Sequence, residues 1–102
     1  MIIRIVKMEF KPEAVDPFKI LFDQIKSKVA SYKGCQQLSL LQVINDSNII
    51  FTYSVWDDEE ALERYRSSET FTHIWAETQK GFSKRAEAWT MNKLFDSTSD
   101  II

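Results

Sequence analysis

Residues 49–56 read Ile-Ile-Phe-Thr-Tyr-Ser-Val-Trp and pass directly into Asp57-Asp-Glu-Glu-Ala-Leu62. β-Branched and aromatic side chains fill the first part, and carboxylates followed by an apolar pair open the second. The junction is therefore a β-strand that ends at Trp56 and hands the chain to a capped helix. Ile49, Phe51, Tyr53 and Val55 share one face of that strand, and Ile50, Thr52, Ser54 and Trp56 share the other. Apolar side chains on both parities call for two covered faces, of which Thr52 and Ser54 make the second mixed.

Upstream, residues 35–44 alternate loosely before the polar run Asn45-Asp-Ser-Asn48, so a hairpin feeds the strand. Before it, Val15, Phe18, Leu21, Phe22, Ile25, Val29 and Tyr32 recur at three-and-four spacing, which predicts a helix stopped by Gly34. Residues 2–10 alternate as an opening strand, with Ile2, Arg4, Val6, Met8 and Phe10 on the parity expected to face helices. Downstream, Ala61, Leu62 and Tyr65 mark a short helix, broken at Ser67-Ser68. A second helical piece carries Phe71, Ile74, Trp75 and Thr78 and stops at Gly81, and residues 82–95 alternate as a long last strand.

The predicted order is β-α-β-β-α-β with the second helix broken in two. That is an α+β, ferredoxin-like arrangement of a four-stranded antiparallel sheet with its helices on one face. It forms a single domain over residues 1–95, followed by a flexible tail over 96–102. Ile3, Ile5, Ile50, Trp56, Trp89 and Met91 are assigned to the face the helices leave open. Burying each large apolar side chain is worth about 1.5–3 kcal/mol, and a second sheet covers such a face symmetrically. The expected partner is a second copy of the chain, packed through the open sheet face and the last strand.

Composition removes several alternatives. Thirteen basic against fifteen acidic residues give a net charge of −2 with no basic stripe, so neither nucleic acid nor an anionic membrane is an expected partner. No apolar run reaches bilayer length, and the single cysteine, Cys35, allows no internal disulfide, so the expectation is a cytoplasmic protein. With two glycines, no phosphate-cradling loop and no Cys/His framework, neither a cofactor nor a metal is expected.

The segment from Trp56 to Phe71, WDDEEALERYRSSETF, resembles the antibiotic biosynthesis monooxygenase family. Members of that family show a tryptophan at a strand end, an acidic helix start, an Ala-Leu or Ala-Phe pair, and a small-residue break before a phenylalanine. The resemblance implies a dimeric α+β barrel. It also implies one of several activities: cofactor-independent oxygenation of quinols or polyketide anthrones, haem degradation, or isomerisation of a signalling sugar. Tyr65 stands where many members have a histidine, and Thr52 stands where the polyketide oxygenases have an asparagine. Val6 and Trp75 occupy the positions of the haem-degrading branch's asparagine and histidine, which disfavours haem. The implied function is cofactor-independent monooxygenation of a small aromatic, quinol-like or polyketide-like substrate. The alternative is a non-catalytic dimeric module that binds a small ligand or is purely structural.

Under the first reading Trp56 and Tyr65 position a ring, with Thr52, Trp75 and Arg85 completing the substrate-binding set. Tyr65 acts as hydrogen-bond donor or acid, and His73, the only histidine, is the candidate base. Each has a plainer reading. Trp56 and Tyr65 suit core packing, Glu69, His73 and Glu77 recur as a solvated helical stripe, and Arg85 suits an ion pair with Glu87 or Glu9.

Overall fold

Strand β3, Asp46–Trp56, is the inner partner of two neighbours in the computed structural model, which describes residues 1–98. It pairs antiparallel with β1, Ile2–Glu9, and with β2, Cys35–Val43. A fourth strand, β4, Glu87–Asn92, pairs antiparallel with the other edge of β1, giving the sheet order β2-β3-β1-β4. Helix α1, Val15–Ala30, connects β1 to β2 after a short 3-10 turn at Pro12–Ala14. Helices α2, Glu59–Arg66, and α3, Glu69–Gln79, connect β3 to β4. This is the expected ferredoxin-like α+β fold, with three helices against a four-stranded antiparallel sheet.

Register decides which face each strand residue takes. Ile2 pairs with Trp56, Arg4 with Ser54, Val6 with Thr52 and Met8 with Ile50. Buried Met8 and Ile50 pack with Val15 and Phe18 of α1, and Ile2 and Trp56 pack with Ala61 and Leu62 of α2. The mixed face of β3 is thus the helix-covered one. This corrects the assignment of Ile50 and Trp56 to the open face. A strand apolar on both parities carries no local signal for its orientation, and the pairing with Ile2 and Met8 supplies it.

On the opposite face stand Ile3, Ile5, Phe51, Tyr53, Trp89 and Met91. Trp89 is 42 % exposed, Met91 41 % and Leu41, beside Phe51, 51 %. The last strand is shorter than its alternation suggests. Phe82 forms an isolated bridge to Phe10, and β4 begins only at Glu87 and ends at Asn92 opposite Ile2, where β1 runs out of backbone to pair with. The hairpin between β2 and β3 is also tighter than the polar run implies, with Val43 already pairing to Asp46.

Past β4, Lys93 Nζ donates to Asp96 at 2.7 Å, and the Thr98 amide and hydroxyl donate to the same carboxylate at 2.9 and 2.6 Å. Of the tail expected over 96–102, residues 99–102 lie outside the described residues. Among the described residues, no helix is long and apolar enough to cross a membrane.

Candidate functional site

Two serine and aspartate caps set the helices that wall the site. Asp58 accepts from the Ala61 amide at 2.8 Å and starts α2 directly after Trp56. Ser68 closes one helix and opens the next: its hydroxyl donates to the Tyr65 carbonyl at 2.6 Å and accepts from the Phe71 amide at 3.1 Å. The Ser67-Ser68 break therefore brings Tyr65 and Phe71 edge to face, with ring centroids 5.3 Å apart. Tyr65 stacks on Trp56 at 5.1 Å, and Phe71 stacks on Trp75 at 5.9 Å. A continuous aromatic wall results.

Between that wall and the sheet lies a cavity of about 470 Å³. Thr52, Ser54, Val6 and Arg4 contribute to it from the strands, Phe18 and Phe22 from α1, and Tyr65, Arg66, Phe71 and Trp75 from α2 and α3. It touches both core clusters, through Met8 and Phe18 on one side and Trp56 and Leu62 on the other. The volume suits a drug-sized or tricyclic molecule, and the lining is mostly apolar with a few polar groups. No carboxylate or histidine is among its lining residues.

Of the six residues singled out from sequence, the structure brings Trp56, Thr52, Tyr65 and Trp75 together around this cavity. His73 stays exposed on α3 and does not line it. Arg85 is exposed beside Lys84 and Ser83 at a separate shallow depression that shares only Trp75 and Ala86 with the cavity. The ion pair considered for Arg85 with Glu9 is made instead by Lys84, at 3.6 Å.

Trp56 borders the cavity yet is 1 % exposed, and its indole N–H donates to Ser54 Oγ at 2.9 Å. The indole donor is thus already engaged within the protein, and the Trp56 ring backs that of Tyr65. Tyr65 differs. Among the described residues its hydroxyl has no hydrogen-bond partner, and burial, then the proximity of Cys35 and Tyr32, pushes its pKa up to about 12. At neutral pH it is a phenol that donates, not a phenolate that accepts a proton. Cys35 is half-buried; burial raises its thiol pKa while its contact with the Gln37 carbonyl acts the other way, which keeps it a weak nucleophile. Among the described residues, no three His, Cys, Asp or Glu side chains converge where they could hold a metal ion.

Two lining residues were not anticipated. Arg4 projects from β1 with one guanidinium nitrogen donating to Thr90 Oγ1 at 2.8 Å, and Arg66 reaches the cavity from the last turn of α2. For Arg4 a signal existed, since a charge on the helix-facing parity among Ile2, Val6 and Met8 is out of place unless something uses it. Nothing in the local pattern marks Arg66.

Comparison with known proteins places this geometry. The family model for antibiotic biosynthesis monooxygenase matches residues 1–77. A crystal structure of an antibiotic biosynthesis monooxygenase, 21 % identical, superposes with a TM-score of 0.86 over 92 % of this chain and 99 % of that one. A conserved protein from Methanosarcina mazei Go1 is 26 % identical, with a TM-score of 0.85 over 91 % of this chain and 93 % of that one. A mutant of SnoaB, a cofactor-independent oxygenase from Streptomyces nogalater, is 16 % identical, with a TM-score of 0.84 over 94 % and 95 %. No curated protein matches the chain.

Proposed function

Because the chain belongs to the antibiotic biosynthesis monooxygenase family, we propose that it oxygenates a small hydroxyaromatic, quinol-like or polyketide-like molecule in this cavity without a cofactor. The observation that carries the reading is the aromatic cavity of about 470 Å³ with Tyr65 in its wall. The stacked Phe71–Trp75 pair offers a face or an edge to a planar ring, Thr52 supplies a polar point on the floor, and Tyr65 donates to the ring's oxygen. His73 and Arg85 lie off the cavity and receive no role.

The chemistry then runs on the substrate's own electrons. The bound hydroxyarene loses its proton, and the anion passes an electron to O2. The resulting radical pair joins as a carbon-bound peroxide. At a ring CH2, loss of water leaves a carbonyl, so one oxygen atom stays on carbon and the other departs as water with both hydrogens. With no base in the lining, the proton leaves to solvent through the mouth, and the protein contributes orientation, exclusion of bulk water and hydrogen bonding to the anion.

The direct test is oxygen uptake by the pure protein with 1,8-dihydroxyanthrone, whose ring CH2 the step requires. Uptake well above the spontaneous rate is expected, and Tyr65→Phe is expected to lower kcat about 10- to 100-fold by removing one hydrogen bond to a charged oxygen. Because Tyr65 stays protonated far above neutrality, that ratio is expected to be the same at pH 6 and pH 8. Binding without accelerated uptake would leave the second reading, a ligand-binding module, which the lack of a base in the lining favours.

We also infer a single folded unit through Phe95 that works as a homodimer joined by its open sheet face. The support is the set of partly exposed apolar side chains on that face, Trp89, Met91 and Leu41, whose remaining exposure costs roughly half of the 1.5–3 kcal/mol that full burial of a large side chain is worth. Trp89→Lys combined with Met91→Lys is expected to halve the mass found by sedimentation equilibrium. An unchanged mass would remove this face from the interface.

A further inference from the structure

Arg4 and Arg66 both line the cavity. Arg4 is half-buried on the strand floor, and of its five N–H donors one is engaged, by Thr90 Oγ1 at 2.8 Å. Among the described residues, no carboxylate lies within ion-pair distance of it. Arg66 is paired with Glu63 at 3.2 Å, but that pair is solvent-exposed, and exposed pairs hold their partners weakly. Burial, and then the positive charge of Arg66, lower the pKa of Arg4, with Glu63 opposing. Two arginines thus line one apolar space whose lining contains no acid.

A half-buried arginine without a counter-ion is costly unless something anionic arrives to meet it. The aromatic wall and the two charges sit on the same cavity, so the arriving group is joined to a ring. We propose that the cavity takes its aromatic occupant as an anion, with a carboxylate or phenolate oxygen held by Arg4 and Arg66. This rests on the reading of the cavity as an aromatic-binding site. It also deepens that reading. A site with no base in its lining can still ionise a hydroxyarene if fixed positive charge stabilises the oxyanion, so the arginine pair and Tyr65 together do by electrostatics what a base would do by proton transfer.

Three naphthalenes of one size test it by calorimetry on the full chain: 2-naphthoate, 2-naphthol and the neutral 2-methoxynaphthalene. The expected result is that 2-naphthoate binds at least about tenfold tighter than 2-methoxynaphthalene, as charge-assisted hydrogen bonds provide. Bound 2-naphthol, followed by its absorbance, is expected to ionise at least about one pH unit below the free compound. Arg66→Met, at the exposed rim where folding is not at risk, and Arg4→Met are each expected to reduce the naphthoate preference, and the double variant to abolish it, with 2-methoxynaphthalene unaffected. A naphthoate preference alone, or a naphthol shift alone, supports the proposal and identifies the oxygen as carboxylate or phenolate respectively. If 2-methoxynaphthalene binds as well as the anion and naphthol titrates normally, the arginines are not an anion site and the proposal falls, while the aromatic cavity stands. A preference that survives the double variant overturns it equally. If none of the three binds, the aromatic-cavity reading falls and takes the proposal with it.

Discussion

Trp56→Ala is expected to cost about 3–5 kcal/mol of folding stability, the range for removing a buried tryptophan from a packed core. The side chain is 1 % exposed and packs with Ile2, Ala61 and Leu62, one of the two clusters that tie helices to sheet. Its ring stacks on Tyr65 at 5.1 Å. Its N–H donates to Ser54 Oγ, itself 7 % exposed, so the substitution also removes a buried hydrogen bond, while the Ser54 hydroxyl keeps the Arg4 carbonyl as acceptor at 3.5 Å. A domain of this size has roughly 5–15 kcal/mol in total, so the variant sits near the edge of folding. In a urea titration at fixed protein concentration the midpoint should fall by about that free energy divided by an unchanged m-value. Trp56→Phe separates the contributions: it keeps most of the ring contact and loses the N–H, so its cost should be well under half. A loss below about 1 kcal/mol for the alanine variant would mean that this cluster does not hold the helices to the sheet.

That one residue was legible as important and illegible in its placement. The alternation of residues 49–56 and the acidic run after it are local signals that give β3 and an aspartate-capped α2, the structure choosing Asp58 for the cap, and the Ser67-Ser68 pair is the local signal for the break before α3. The face of Trp56 did not, because a strand apolar on both parities leaves its orientation to its neighbours, and only the pairing of Ile2 with Trp56 decides it. The same dependence on a partner shortened β4: alternation persists to Phe95, but β1 begins at Ile2. His73 stands out by its chemistry alone, whereas the spacing of Glu69, His73 and Glu77 describes an outward stripe, and α3 presents His73 to solvent. Arg4 was the reverse case. Its parity placed it inside from the start, and only the cavity gave that position a meaning.

Gly34→Ala is expected to be nearly as damaging as the loss of Trp56, for reasons that involve no lost contact. Gly34 has φ of +90°, where an L-residue is strained, at about 1–2 kcal/mol. A methyl group there would also collide with the Ala61 Cβ on α2, and forcing such an insertion typically costs a further 1–3 kcal/mol or so. The backbone cannot easily yield, since the Gly34 carbonyl accepts from the Asp57 amide at 2.9 Å and thereby fixes the end of β3 against the loop. Together these come to roughly 2–5 kcal/mol. The two causes separate in a double-mutant cycle with Ala61→Gly. That change alone should cost about 1 kcal/mol for a glycine within a helix, but in the Gly34→Ala background it frees the space, so the pair should be coupled favourably by about 1–3 kcal/mol. The residual cost is the backbone term, which no change at Ala61 can relieve. The site should respond as well, because α2 carries both Tyr65 and Arg66 to the cavity: if Gly34→Ala pushes α2 outward, the folded fraction should bind 2-naphthoate more weakly, and Ala61→Gly should restore much of that affinity. An additive cycle would place the whole effect in the backbone at Gly34 and leave the position of α2 unchanged.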